Sequence, residues 1–306
     1  MTHSLDRPVV VVNQLSRTFD QQPALSSVNM QAYPGQVYGI VGENGAGKTT
    51  LIKHLLGLYK AQSGTVRVFD KNPVKQPEAV LSNIGYLSEQ PDMPAWMKIS
   101  ELINYTAAFY PGWDSSYAAE LVAMFGLDTS LQVRNLSKGM RAQLGLVLAQ
   151  AHRPRLLLLD EPSSGLDPNV RRDILSAIIR TVVDEGRSVI FSSHLLEEVE
   201  RVSDHLMMLR KGQIMLSDPM EQVLSDHHRL TFKSSSPPPF LGQLDQVLRS
   251  EALGDEWQVD CYGPLEALRA HTQSAGIELL SHHRLSLNEI FLLRSRSLSQ
   301  AAPSHA

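Results

Sequence analysis

Short apolar runs along the chain alternate with longer stretches in which apolar residues recur every three or four positions. Val9–Leu15, Gln36–Val41, Ile84–Leu87, Leu156–Asp160 and Ser188–Ser192 are short and rich in valine, isoleucine or leucine, which predicts strands. The last four are nearly continuous in apolar residues, as strands covered on both faces are. Pro168 stands where a first helical residue would be. After it, Ile174, Leu175, Ile178, Ile179 and Val182 form a one-sided stripe, and Gly186 ends the helix. Strands alternating with helices predict an α/β layered fold around a largely parallel sheet.

Two regions depart from this alternation. Residues 91–152 read as almost wholly helical, with helices expected at Ser100–Tyr110, Asp114–Phe125 and Gly139–Ala151, broken at Pro111-Gly112 and Gly126. They predict a helical insertion in the α/β core. After about residue 226 the pattern weakens. Ser234–Pro239 is a linker or loop signal. Beyond it strand and helix patterns alternate at Trp257–Cys261, Pro264–His271, Ile277–Ser281 and Leu287–Leu293, and the chain turns polar from about Ser295. The expected organisation is a core domain over 1–226, with its helical subdomain at about 91–152, and a small C-terminal α+β region over 227–306.

Composition narrows the class. A length of 306 residues suggests about two domains. Apolar residues at 42% and charged residues at 20% exclude a mainly disordered chain. A net charge of −4 provides no whole-molecule attraction to nucleic acid or anionic lipid. The single cysteine, Cys261, excludes an intramolecular disulfide framework, fits a reducing compartment and reads as a small buried strand residue. No run reaches the roughly 18 apolar residues of a membrane span, because His152–Arg155 interrupt the best candidate, Leu144–Leu159. Val9–Val12 is too short for a signal peptide. A cytoplasmic location is expected, and any membrane role would need another polypeptide to cross.

The chemistry is concentrated in two segments. Gly42-Glu43-Asn44-Gly45-Ala46-Gly47-Lys48-Thr49-Thr50 matches the pattern G-x-x-x-x-G-K-[ST], with an apolar strand before it and an apolar helix (Leu51, Ile52, Leu55, Leu56) after it. Glycines let such a loop turn its backbone N–H groups toward phosphate oxygens, and the helix N-terminus adds its dipole. Lys48 would sit between the β- and γ-phosphates, and the Thr49 hydroxyl would ligate Mg²⁺. An accidental glycine-rich turn would not need both flanks. The second segment is Leu156-Leu157-Leu158-Leu159-Asp160-Glu161, a leucine strand that delivers two carboxylates to the edge where open α/β sheets bind ligands. Asp160 would belong to the Mg²⁺ shell, and Glu161 would orient and deprotonate the attacking water. Alone, this segment could equally be a strand ending in a solvated acidic turn.

Together these segments indicate a P-loop NTPase, and further matches give the family. Leu136-Ser137-Lys138-Gly139-Met140 resembles the LSGGQ signature of ABC ATPases, with Lys138 and Met140 departing from it. Ser164-Gly165-Leu166-Asp167 resembles the D-loop, His194 the switch histidine, and Phe19 the aromatic that stacks on adenine. The resemblance spans about residues 8–220. It implies ATP and Mg²⁺ as ligands, and a head-to-tail pair with a second copy or a related ATPase subunit. In that pair Ser137 and Gly139 of one subunit would meet the γ-phosphate held by the other. The family usually has a glutamine near Mg²⁺ after the strand Ile84–Leu87; the register favours Glu89 for that position, with Gln90, one place later, as the alternative. Glu89, the Leu136–Met140 form and the closing Leu287–Leu292 resemble ABC-2-type exporter ATPases, which implies a separately encoded membrane permease and a location on the inner face of the cell membrane.

An importer ATPase would share every catalytic motif. A soluble ABC protein acting on nucleic acid or ribosomes fits less well. The chain has a single P-loop, and only about 48 residues separate Glu89 from Ser137 (137 − 89), without the heptads of a coiled coil. No nucleic-acid partner is expected. The adjacent pairs His227-His228 and His282-His283 lack ligand spacing for a metal. Met93, Trp96 and Met97 read either as packing residues or as a groove for a partner helix.

Overall fold

The computed structural model describes residues 7–183, 186–234, 236–238, 241, 246–266, 269 and 277–300. The chain divides into two compact units, Met1–Ile214 and Met215–Ala306. The first opens with β1 (Val10–Phe19) and β2 (Gln22–Ala32), joined by a two-residue turn in which Asp20 and Gln21 both have positive φ. β3 (Val37–Val41) leads to α1 (Lys48–Leu55), followed by β4 (Ser63–Val68), α2 (Pro77–Leu81) and β5 (Ile84–Leu87). Then come α3 (Ile99–Ala107), α4 (Ser115–Met124), a 3₁₀ turn at Val133–Asn135 and α5 (Lys138–Gln150). The unit continues with β6 (Leu156–Asp160), α6 (Pro168–Val183), β7 (Ser188–Ser193), α7 (Leu196–Val202), β8 (His205–Arg210) and the start of β9 (Gln213–Pro219).

The six-stranded sheet has the order β5-β6-β7-β3-β8-β9, and β5–β6, β6–β7, β7–β3 and β3–β8 pair in parallel. Every residue of β3, β6 and β7 is buried, which is why these strands read as unbroken apolar runs. The second sheet, β2-β1-β4, is antiparallel. Leu51, Ile52 and Leu55 of α1 join both sheets in one core with Val10, Val12, Ile40, Leu158 and Ile190. The helices of 91–152 leave after β5 and return at β6, its immediate neighbour, so the insertion leaves the parallel order undisturbed.

Several elements escape the sequence pattern. β1 runs four residues beyond Leu15 (19 − 15), because Gln14 takes a positive φ and the register shifts there, which breaks the alternation without ending the strand. β2 and β4 are half-polar, with buried positions only at alternate residues over part of their length. In α6 the expected stripe buries Ile174, Leu175 and Ile178, while Ile179 is exposed.

The second unit comprises the rest of β9, α8 (Met220–Ser225), β10 (His227–Lys233), β11 (Val247–Leu253), β12 (Glu256–Tyr262), β13 (Glu278–Arg284) and α9 (Leu287–Gln300). Its antiparallel sheet has the order β11-β12-β10-β13 and begins at His227, where the sequence pattern changes. Of the helix expected at Pro264–His271, Leu265, Glu266 and Arg269 are helical, and the others beyond Pro264 lie outside the described residues. Leu230, Phe232, Val259 and Cys261 form its apolar face. Burial pushes the Cys261 thiol up to about 12, which keeps it unreactive.

The other residues of β10 carry a polar network. Arg229 donates to both oxygens of Asp260 at 2.7 and 3.0 Å and pairs with Glu289 at 2.8 Å. His227 Nδ1–H donates to the Val223 carbonyl at 2.8 Å, so its Nε2 accepts from Arg294 at 3.0 Å. His228 Nε2–H donates to the Gly263 carbonyl, and its Nδ1 accepts from His282 Nε2–H at 3.0 Å. These bonds require neutral rings at His227 and His228. Burial above all, aided by the charge of Arg294 and opposed by the Val223 hydrogen bond and the charge of Asp226, brings His227 down to about 4.

Above the ordinary histidine value, roughly 6.5, this group leaves stability unchanged. Between there and about 4 the unfolded chain binds a proton that the folded one refuses, so stability falls as pH falls. The loss should approach, at most, about 3 kcal/mol near pH 4. Replacing Trp96 and Trp113 by Phe leaves Trp257 of β12 as the fluorescence reporter. Urea midpoints read from it should drop between pH 7 and 5, and His227→Gln should flatten the trend. An unchanged midpoint would refute the assignment.

Candidate functional site

The turn from β3 into α1 must pass close to its neighbours. A Cβ on Gly42 would collide with the Leu209 carbonyl, and one on Gly47 with that of Ala24, so only glycine lets the backbone through. Gly47 caps α1 with φ 110°, in the left-handed region. The loop residues Glu43 to Thr50 line a cavity of about 280 Å³ with Ala24, Glu89 and Glu161. A helix N-terminus and a bent glycine loop bordering one cavity form an anion-binding cradle.

Lys48 is buried, and its ammonium donates to the Gly42 carbonyl at 2.6 Å. It also lies 3.0 Å from Glu161 Oε1, off the hydrogen-bond direction, so that contact is an ion pair. The other oxygen, Glu161 Oε2, accepts from His194 Nδ1–H at 2.7 Å. The carboxylate is acceptor-only, which fixes the proton on Nδ1. Glu161 is 8% exposed and holds φ 50°, a left-handed backbone that a non-glycine residue adopts at some cost. Its N–H donates to Ser192 Oγ at 2.9 Å, and Ser192 in turn donates to Asp160 Oδ1 at 2.7 Å. Asp160 and Ser192 face each other in the β6–β7 register, so strand pairing itself aims both carboxylates. Burial first, then the charge of Asp160, push the Tyr86 hydroxyl up to about 12.

The structure thus gathers Lys48, Thr49, Glu89 and Glu161 on one cavity, with His194 and Asp160 attached through Glu161 and Ser192. Glu89 accepts from Ser164 Oγ at 3.3 Å, whereas Gln90 is not on the cavity wall. Phe19 ends β1 and packs edge-on against Tyr59, with the Arg17 guanidinium 4.6 Å over its ring. It does not line this cavity, nor do Ser137 and Gly139. Ser137 is exposed and caps α5, accepting from Met140 N–H at 3.1 Å, and Gly139 packs on Val170.

Sequence reasoning missed a hub behind the site. Glu198, 4% exposed, accepts from Ser163 Oγ at 2.6 Å and Ser193 Oγ at 2.9 Å and pairs with Arg171 at 3.1 Å. It ties the turn after Glu161, the residue before His194, and α6 to one carboxylate. The sequence around it, Leu195-Leu196-Glu197-Glu198, offers no sign of which glutamate turns inward beyond the helical spacing to Val199 and Val202.

Comparison with known proteins gives the family. The family model described as ABC transporter matches residues 25–164. The ABC transporter ATP-binding protein YtrB of Bacillus subtilis is 32% identical over 222 residues, covering 72% of this chain and 76% of that one. The chain belongs to the ATP-binding subunits of ABC transporters. The bacitracin transport ATP-binding protein BcrA of Bacillus licheniformis is 31% identical over 217 residues, covering 70% and 71% of the two chains. Among solved structures, the ATP-binding subunit of an ABC transporter matches with TM-score 0.65 and 26% identity, over 70% of this chain and 91% of that one. CbiO1 of Clostridium perfringens, described as part of the transporter complex cbiONQ, shares the fold with TM-score 0.63 at 21% identity, over 71% and 91%. These subunits bind ATP and hydrolyse it, and the α/β fold here is that of their cassette.

Glu198→Gln keeps the shape but removes the charge that holds Arg171. Breaking a buried pair is expensive, and the part-exposed Arg171 reduces that to about 1–3 kcal/mol here. Urea denaturation should show the loss, and ATP hydrolysis should slow because the segments carrying Glu161 and His194 are no longer tied together. Unchanged stability and turnover would detach Glu198 from the site.

Proposed function

We propose that this chain is the ATP-hydrolysing subunit of an exporter, working as a pair around two ATP molecules and driving a separately encoded membrane permease. The observation that carries the reading is Glu161, buried between Lys48 and His194 on the wall of the P-loop cavity. A phosphate chain entering the cavity competes with Glu161 for Lys48. Released from that pair, the carboxylate is a base held by His194, which fits its orienting the attacking water and taking its proton. Phe19 is assigned to the adenine ring.

Thr49, Asp160 and Glu89 present the hard oxygen donors that Mg²⁺ takes. No cluster of three or more His, Cys, Asp or Glu side chains suited to a metal forms among the described residues, so phosphate oxygens and water would complete the shell. The ion would neutralise charge on the phosphates.

Ser137 and Gly139 lie outside their own cavity, with Ser137 exposed at a helix N-terminus. That supports their action on nucleotide held by a second subunit. Trp96 is 66% exposed in the segment between β5 and α3, which favours contact with the permease over a packing role. Among the described residues no helix is long and apolar enough to cross a membrane, in keeping with a cytoplasmic subunit peripheral to the inner face. Export is supported by likeness to the bacitracin transport protein and by Glu89 and the Leu136–Met140 form.

Glu161→Gln should retain ATP binding and lose hydrolysis by about 10²–10⁴-fold, the usual contribution of a general base. Phosphate release and equilibrium binding measured on the same variant check this, and normal turnover would remove Glu161 from the role.

Lys48→Ala and Ser137→Arg should separate binding from assembly. The first should weaken nucleotide binding to the isolated chain; the second should leave it intact and abolish turnover. Equal loss of binding in both would contradict the shared-site pair.

A further inference from the structure

A second cavity, of about 610 Å³, lies at the opposite edge of the six-stranded sheet. Its wall includes Arg153–Arg155, which precede β6, Gly186–Ser188 at the head of β7, and Pro34 before β3. Arg7–Val9 and the Phe69-Asp70 turn complete it. The P-loop, Glu161 and His194 follow the other ends of β3, β6 and β7. The two cavities are therefore separated by strands of five or six residues, on the order of 16–20 Å.

Four arginines, Arg7, Arg153, Arg155 and Arg187, line this cavity against one carboxylate, Asp70, among its described lining residues. Arg187 is buried, and the other three are exposed. Aromatic rings orient the guanidinium planes: Arg155 lies 4.6 Å over Phe69, and Arg153 lies 3.9 Å over Tyr117, while Asp114 pairs with it at 2.9 Å. Stacking on Phe69 leaves the in-plane N–H edge of Arg155 for forked donation to phosphate, whereas that edge of Arg153 donates to Asp114. Pro8, Pro34 and Pro154 stiffen the wall, and Val9 and Phe69 give it an apolar part. The volume lies in the range of small-molecule sites, roughly 300–1,000 Å³. Four arginines against the two described carboxylates, Asp70 in the lining and Asp114 on Arg153, leave an excess of two positive charges (4 − 2) that a multiply charged anion would balance.

We propose that this cavity is a binding site, separate from the P-loop, for a soluble small molecule carrying two or more phosphoryl groups.

Inorganic tripolyphosphate is the probe, titrated calorimetrically into the full chain carrying Lys48→Ala to weaken the P-loop. Saturable binding is expected. Adding Arg155→Ala should weaken it about tenfold or more, as loss of a charge-assisted bidentate contact does. Arg155→Lys should weaken it less, and Arg7→Ala provides a second exposed position. Arg155→Ala alone should leave the thermal midpoint and ATP hydrolysis unchanged. The proposal falls if the Lys48→Ala chain shows no saturable binding. It also falls if neither Arg155→Ala nor Arg7→Ala alters the affinity, or if sulfate at equal ionic strength competes fully. Arg155-dependent sedimentation with phosphatidylglycerol vesicles, without tripolyphosphate binding, would assign the arginines to a membrane surface and overturn it.

Discussion

Burying the Glu161 carboxylate is the constraint around which the P-loop cavity is arranged. A carboxylate taken out of water must be paired or hydrogen-bonded on every side. Here Lys48 approaches one oxygen at 3.0 Å and His194 the other at 2.7 Å. Its backbone is held in an unfavourable region by the bond from its N–H to Ser192. That serine is placed by the parallel register of β6 and β7, which rests on leucine, valine and isoleucine packing in a sheet buried on both faces. The apolar core and the charged site are therefore one construction, with the strands fixing the angle at which the carboxylates leave the sheet.

The same economy of carboxylates recurs behind the site. Glu198 gathers two serines and an arginine from three elements. The turn after Glu161 and the residue before His194 bond the same oxygen, Glu198 Oε2, while the other faces Arg171. Ser164, in that turn, also reaches Glu89, which opens the segment leading to the helical insertion.

The central sheet also has an electrostatic polarity. Its carboxyl edge carries Lys48 among the carboxylates Glu43, Glu89, Asp160 and Glu161, while its amino edge carries four arginines around Asp70. In the second unit one group of charges on β10 is mutually paired: Arg229 is shared by Asp260 and Glu289, and neutral histidines accept from Arg294 and His282. That arrangement makes the unit sensitive to protonation rather than suited to binding an ion.

Much of this was legible in the residues themselves. The strands Ile84–Leu87 and Leu156–Asp160 and the glycine loop between β3 and α1 follow from local pattern, since buried parallel strands need continuous apolar runs and a phosphate loop needs glycine at fixed spacing. The alternate burial of β2, the bulged extension of β1 and the strands β10 and β11 were not legible, because edge and half-polar strands owe their state to the neighbours they pair with. The sequence contains Glu197 and Glu198 side by side, yet only folding brings Glu198 against Ser163 and Arg171. Likewise Arg7, Arg153, Arg155 and Arg187 are scattered along the chain and meet because parallel strands collect all their leading loops on one edge. Local spacing determined which groups can do chemistry; long-range strand pairing decided which of them face one another.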